Sequence, residues 1–142
     1  MKKNKILIIL MFIFVFLVSC SNKSKEKNTK ESKISTDEQR QKYINKAQTV
    51  IKLFNDKKSK EILEMSSTEL QTALTKDNLN IIYEKINSMG EFKDFSKNEV
   101  TNIEEKNKNY IVVIQSVKYS KGELIYTISF DENAKLAGVF YK

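Results

Sequence analysis

The sequence predicts an α+β fold in which N-terminal helices pack on a curved, four-stranded antiparallel meander sheet. Two observations indicate this class. Apolar residues recur with the 3.6-residue period of a helix as far as Met89. After Phe92 the period changes to two, which is typical of strands with one buried face. Runs of helix followed by runs of strand favour an α+β domain, predicted over residues 37–142.

The helical part divides at polar breaks. Ser35 and Glu38 have the spacing of a capping box, and the helix they begin carries one apolar face as far as Phe54. Residues 55–58 break it, and a short helix is predicted over residues 59–65. A second break at residues 66–68 precedes one or two helical turns with Leu70, Ala73 and Leu74 inward. The last helix is predicted to begin with Asp77 as N-cap and to end before Gly90, a natural helix stop.

Four strands follow. Residues 98–103 predict a weak strand, and residues 110–119 a strong one, because they are rich in β-branched and aromatic side chains. A hairpin loop at residues 120–122 leads into residues 123–130, which alternate cleanly. After a turn at residues 131–134, the last strand is predicted over residues 136–141. Gly138 at its middle indicates a bend, a bulge or a close backbone approach.

This arrangement resembles the cystatin-like, nuclear-transport-factor-2-like cone, and within it the small domains of unknown function in Gram-positive-type envelope proteins. The resemblance covers residues 37–142 and depends on five short segments: Phe54-Asn55-Asp56, residues 62–74, Met89-Gly90-Glu91-Phe92, Ile128-Ser129-Phe130-Asp131 and Lys135-Leu136-Ala137-Gly138. It implies helices on one face of the sheet, a concave pocket and an envelope location. It implies no settled activity.

The N-terminus has the pattern of an export signal: three lysines within residues 1–5, then thirteen apolar residues, Ile6 to Val18. The run is too short to span a bilayer comfortably. Leu17-Val18-Ser19-Cys20 resembles a bacterial lipobox. That resemblance implies cleavage between Ser19 and Cys20, lipidation of Cys20, and a location on the outer face of the bacterial cytoplasmic membrane. An uncleaved anchor or an ordinary secretory signal with a chance cysteine is the alternative.

The predicted organisation is a signal peptide at residues 1–19, a lipidated Cys20 with a flexible polar linker to residue 36, and the domain. The formal net charge of +7 falls mainly outside the domain. The signal carries +3 and the linker +3, leaving 17 basic and 16 acidic side chains in residues 37–142. A nucleic-acid partner is therefore not expected, because the domain has no basic excess. The linker lysines could contact wall or membrane polyanions, but a solvated tether is the favoured explanation.

The residue types limit the chemistry. The chain has no His and one Cys, so it lacks a His-activated nucleophile and an imidazole-ligated metal, and we expect neither metal nor cofactor. The carboxylate pairs Glu61/Glu64 and Glu104/Glu105 lie among polar residues and are predicted to be solvated. Some relatives of the cone fold are isomerases with a pocket Asp or a His–Asp pair. No Asp or Glu falls on the inward face of the three strong strands here, so no catalytic residue is assigned.

The strand aromatics could be core, or they could line a pocket at the open end of the cone. In the second case the lining is Tyr110, Tyr126, Phe130 and Phe140, with tyrosine hydroxyls orienting a small apolar ligand. The favoured function is a small non-catalytic binding or interaction domain of a membrane-anchored lipoprotein. Its partners are the bilayer, through acyl chains on Cys20, and a small apolar ligand or an envelope protein. The alternative is a small pocket enzyme of the isomerase or dehydratase type.

Overall fold

A computed structural model describes residue 34 and residues 36–142. The predicted signal peptide, lipobox, most of the linker and the Ser35 cap lie outside the described residues. The elements follow in chain order as α1 (Asp37–Asn55), α2 (Ser59–Met65), α3 (Thr68–Ala73), α4 (Lys76–Ser88), β1 (Phe92–Glu105), β2 (Lys108–Tyr119), β3 (Gly122–Phe130) and β4 (Leu136–Tyr141). The four strands form one antiparallel sheet in the order β1-β2-β3-β4, which confirms the predicted α+β class.

Hydroxyl side chains begin three of the helices, by accepting a hydrogen bond from a backbone N–H of the first turn. The N-caps are Thr36 for α1, Ser67 for α3 and Thr75 for α4, at 3.2, 3.2 and 3.3 Å. The predicted N-cap at Asp77 is wrong. Asp77 lies within the first turn of α4, where its carboxylate still stabilises the positive end of the helix dipole.

Strand β1 begins at Phe92, six residues before the predicted start at Asn98. Two irregularities in its pairing with β2 explain the difference. One extra β1 residue lies between Phe92 and Asp94, and another between Phe95 and Asn98. Each extra residue shifts the alternation by one, so the period of two is lost from the sequence although the strand continues. Such bulges also increase the local twist and bend the sheet.

The core lies between α1 and the concave face of the sheet. The inward residues of α1 are Ile44, Ala47, Val50, Ile51 and Phe54, all buried. They meet the inward residues of β2 and β3, which include Val113, Val117 and Ile128. Helix α4 closes one end with Leu79, Tyr83 and Ile86. The predicted apolar faces of the first and last helices are thus the ones that pack.

Gly90 ends α4 and allows the chain to turn into β1. Its φ of +81° lies in the left-handed region that favours glycine. A Cβ there would also lie 2.1 Å from Ser120 Oγ, which itself accepts a hydrogen bond from the Glu91 N–H at 3.0 Å. The end of α4 and the β2–β3 turn therefore approach each other so closely that only glycine fits at position 90. Within residue 34 and residues 36–142, no helix is long and apolar enough to cross a membrane.

Candidate functional site

The four residues predicted to line an apolar pocket do not surround a common opening. Tyr126 and Phe130 lie on the concave face, and both are completely buried in the core. A side chain with no accessible surface cannot line a cavity that holds even one water molecule. The position beneath the sheet is occupied by side chains of α1: the Tyr43 ring lies 5.5 Å from the Phe130 ring, and the Lys46 ammonium lies 5.3 Å from it.

Phe140 lies on the opposite, convex face and is 57% exposed. Regular alternation from Leu136 would place Leu136, Gly138 and Phe140 on one face. Ala137 is instead an extra residue, because Ser129 pairs with Gly138 whereas Phe130 pairs with Leu136. After this bulge, Val139 and Tyr141 face the core and Phe140 faces outward. Tyr110 is also outward, since its neighbour Ile111 packs against the core.

The interior contains polar groups, but they bind one another. The Tyr119 and Tyr126 hydroxyls lie 2.8 Å apart, and Asn55 Nδ2 donates to Tyr119 Oη at 3.1 Å. Burial raises the pKa of Tyr126 well above its ordinary value, and the hydrogen bond to Tyr119 acts in the same direction. The Tyr126 phenol is therefore neutral at physiological pH. An isomerase-type reaction needs a carboxylate beside such a tyrosine, and the partners observed here are an amide and a second phenol.

A polar cleft lies at one end of the sheet, where the α2–α3 junction, the start of β2 and the β3–β4 turn meet. Its volume is about 540 Å³. Its lining comprises Ser66, Ser67, Thr68, Glu69, Gln71, Lys108, Asn109, Tyr110, Asp131, Glu132, Asn133, Lys135 and Ala137. We call this the polar cleft. Tyr110 is the only one of the four predicted pocket residues that contributes to it.

The α2–α3 junction forms one wall of the polar cleft. Ser66 is buried, its hydroxyl donates to the Ile62 carbonyl at 2.7 Å, and it forms a parallel bridge with Leu136. The Ser67 N–H donates to the Leu136 carbonyl at 2.7 Å, while the Ser67 hydroxyl caps α3. The short α3 helix is thus attached to the start of β4 by backbone hydrogen bonding.

The β3–β4 turn forms the facing wall. Asp131 Oδ1 accepts the backbone N–H groups of Asn133 and Lys135 at 2.9 and 2.8 Å, which fixes the turn. Ala134 adopts a left-handed φ of +57° within it. Lys46 of α1 donates to the Ala134 carbonyl, and Lys135 Nζ donates to the Glu64 carbonyl at 3.0 Å. The turn is therefore held to both α1 and α2.

The start of β2 closes the third side. Glu132 Oε1 accepts both the backbone N–H and the side-chain amide of Asn109, at 3.1 and 3.2 Å. Lys108 Nζ lies 3.8 Å from Glu69 Oε1, and both side chains of this ion pair are exposed. The Glu69 backbone N–H, Lys108 and the Ser67 hydroxyl together lower the pKa of the Glu69 carboxyl. Glu69 is therefore ionised at neutral pH and is not prepared to act as a general acid.

The polar cleft thus combines two ammonium groups, three carboxylates, amides and hydroxyls, already arranged by the fold. This set can bind a polar ligand by hydrogen bonds and charge pairing. Across residue 34 and residues 36–142, no three carboxylate, thiol or imidazole side chains lie close enough to hold a metal ion. The sequence marked residues 66–68 and 131–134 as a break and a turn. Nothing in the sequence pattern indicated that these two loops meet.

Comparison with known proteins places the chain in a family. Residues 47–139 match the family described as "Protein of unknown function (DUF3887)", and the chain belongs to that family. No curated protein matches it. It is similar to a protein from Ruminococcus gnavus ATCC 29149 whose structure was determined by NMR, with 27% identity and a TM-score of 0.60. That similarity covers 66% of this chain and 82% of the other.

The buried Tyr126 phenol predicts a loss of stability in alkali. The folded-state pKa of Tyr126 lies above the ordinary value of 10.0. The neutral phenol therefore stabilises the folded state fully below about pH 10, and this stabilisation is lost as the pH rises further. The Tyr126→Phe variant should show a smaller fall in the free energy of unfolding between about pH 8 and about pH 11. Urea unfolding at each pH measures it.

The matched control is Tyr141→Phe, because burial also raises the pKa of Tyr141 but leaves that side chain partly exposed. It should flatten the pH dependence less than Tyr126→Phe does. An unchanged alkaline fall in Tyr126→Phe would contradict the assignment of Tyr126 as a buried neutral phenol.

Proposed function

We propose that this chain is a lipid-anchored protein on the outer face of the bacterial cytoplasmic membrane, whose domain binds a polar ligand and performs no catalysis. The observation that carries the binding part is the polar cleft, with about 540 Å³ of volume and hydrogen-bonding groups on every wall. The helix-then-meander order also fits the cystatin-like cone, and we include that assignment in the proposal.

The anchor is supported by the sequence. Cys20 is the only cysteine of the chain, and it stands directly after Leu17-Val18-Ser19 at the end of an apolar run. A diacylated or triacylated Cys20 would hold the protein stably, since one acyl chain alone gives only marginal binding. The polar segment up to residue 36 would then separate the domain from the bilayer by about 20–24 Å if it behaves as a flexible coil.

The ligand that suits the polar cleft differs from the small apolar ligand expected from the sequence. Lys108 and Lys135 can pair with carboxylates of a ligand, and Glu69 and Glu132 with its amines. The Asn109 and Gln71 side-chain amides already donate to Glu132 and to the Leu63 and Ser66 carbonyls, and their amide oxygens can accept from a peptide backbone. A short peptide segment of mixed charge can pair with the charged groups, whereas an apolar ligand would displace water from them without replacing its hydrogen bonds, at a cost in binding free energy.

Two carboxyls of the polar cleft lie in environments that do not favour general acid–base catalysis. General acid–base chemistry needs a carboxyl whose pKa is raised toward neutrality. In the polar cleft the Glu69 pKa is lowered instead, and Asp131 is engaged by two backbone N–H groups of its own turn. The carboxylates are arranged to hold the cleft in shape and to pair with cations.

The anchor predicts a processed, acylated N-terminus. Intact-mass analysis of the membrane-extracted protein should show loss of residues 1–19 and addition of a diacylglyceryl group at Cys20. The Cys20→Ser variant should accumulate as the uncleaved precursor without lipid, because the thiol is the acceptor. Ser24→Ala, a substitution in the same polar segment, should be processed like the parent. Recovery of the parent with residues 1–19 retained, or cut elsewhere without lipid, would contradict the anchor.

The polar cleft predicts binding of a mixed-charge peptide. In NMR titration of the full chain in detergent micelles, the tripeptide Lys-Ala-Glu should shift the resonances of the cleft residues. The Asn109→Leu variant should bind it about tenfold more weakly, which corresponds to the loss of one or two hydrogen bonds.

The matched control is Asn98→Leu, an exposed asparagine on β1 outside the polar cleft. It should bind the tripeptide as the parent does. Shifts distributed away from the cleft, or an equal loss of affinity in both variants, would rule out the cleft as the binding site.

A further inference from the structure

The two edges of the sheet are protected to very different degrees. Strand β1, at one edge, carries six charged side chains and two bulges, both of which discourage pairing with another strand. Strand β4, at the other edge, reads LAGVFY and contains no charge and no proline. An uncharged edge strand without proline is able to add a further strand.

Among the residues that the structure describes, only Ser66 and Ser67 bond to the outer edge of β4, at its beginning. Ser66 bridges Leu136 in parallel, and the Ser67 N–H uses the Leu136 carbonyl. Beyond this point the backbone alternates. Ile125 and Lys142 exchange both backbone hydrogen bonds, at 3.0 and 3.1 Å, so the N–H and C=O groups of Lys142 point toward β3. Tyr141 and Val139 therefore direct their N–H and C=O groups away from the sheet.

Phe140 lies between these two residues, with its side chain on the convex face. It is the most exposed of the large apolar side chains in the described part of the chain, at 57%. Its ring leans toward Gly138, where an added Cβ would lie 3.4 Å from Phe140 Cε2. A partner strand at this edge would cover the ring and complete the backbone hydrogen bonds in one step.

We propose that β4 pairs in antiparallel fashion with β4 of a second copy of this chain, about a two-fold axis at Phe140. In this register Val139 of one copy exchanges both backbone hydrogen bonds with Tyr141 of the other, and the same pair repeats across the axis. All four outward-pointing groups of each edge are then satisfied. The two sheets become one continuous sheet of eight strands.

The side chains favour this occupant because the edge is complementary to itself. Phe140 faces its own symmetry mate in a non-hydrogen-bonded pair, where cross-strand side chains approach most closely. Val139 faces Tyr141, so the concave side also matches apolar with apolar. Lys142 falls opposite Gly138, so no like charges meet. The pairing stops before Leu136, whose edge the α2–α3 junction already covers.

The interface is short, so the association is expected to be weak and concentration-dependent. Cross-linking in membranes detects such a contact directly. Across a non-hydrogen-bonded pair the Cα atoms lie about 4.5 Å apart, within disulfide range. Under mild oxidation of membranes that contain the full chain, Phe140→Cys should therefore form a homodimeric disulfide.

The matched control is Thr127→Cys, which is the cross-strand neighbour of Phe140 on the same convex face. Its mate in the proposed dimer would lie three strand spacings away, about 14 Å, beyond the reach of a disulfide. The parent chain, which carries Cys20 alone, gives the background. We expect a several-fold higher cross-linked fraction for Phe140→Cys than for either control. Equal fractions in all three, or a disulfide to a protein of different mass, would overturn the proposal.

A second measurement keeps the test independent of the cysteine. The full chain in detergent should sediment as a mixture of monomer and dimer that shifts toward dimer at higher concentration. Phe140→Lys, at an exposed position, should keep the circular dichroism spectrum of the parent and sediment as monomer throughout. A parent that stays monomeric at every concentration, or a Phe140→Lys variant that dimerises equally well, would also overturn it.

Discussion

The bend of β1 and its attachment to α1 depend on one buried amide. Gln115 lies at the middle of the concave face of β2 and is completely buried. Its Nε2 donates to the carbonyls of Lys97 and Ser116 at 3.1 and 2.9 Å, and its Oε1 accepts from Gln48 of α1 at 3.1 Å. Lys97 is one of the two β1 residues that lie opposite the single residue Ser116 at the second bulge. The amide therefore satisfies the backbone that the bulge releases from the ladder, and connects it to α1.

This constraint explains why the concave face is filled by the protein's own side chains. The bulge bends β1, and α1 is held in the concavity so that its apolar face meets the sheet. The interior is then filled by Phe54, Tyr126 and Phe130, and every buried side-chain polar atom in the described part of the chain has a hydrogen-bond partner. Because these side chains are completely buried, the accessible polar groups lie at the margins of the sheet. The polar cleft lies at one end of the sheet. The edge of β4 beyond Leu136 is the second such margin.

Much of the architecture was predictable because it follows local pattern. The apolar face of α1 and the alternation of β3 are read directly from residue spacing, and both pack as expected. Which strand aromatics face inward was not predictable, because the face of each residue depends on single extra residues in the strands. The extra residue Ala137 places the residues that follow it on the opposite faces of the sheet. The two extra residues within residues 93–97 remove the period of two from the beginning of β1. Gly138 indicates an irregularity in the strand, but the sequence does not show which of its neighbours is the extra residue. The polar cleft escaped prediction because its two loops are 64 residues apart, from Ser67 to Asp131, and only packing brings them together.

Hydrogen exchange on a Gln115→Leu variant tests the role of this amide most directly. Leucine fills similar space but leaves the Lys97 carbonyl and the Gln48 amide without their partner. We predict faster amide exchange at residues 92–98 of β1, with the β2–β3 pairing still protected, and no change in a Gln41→Leu control on the exposed side of α1. Unchanged protection at β1 in Gln115→Leu would contradict the claim that this side chain holds the bulge and the curvature of the sheet.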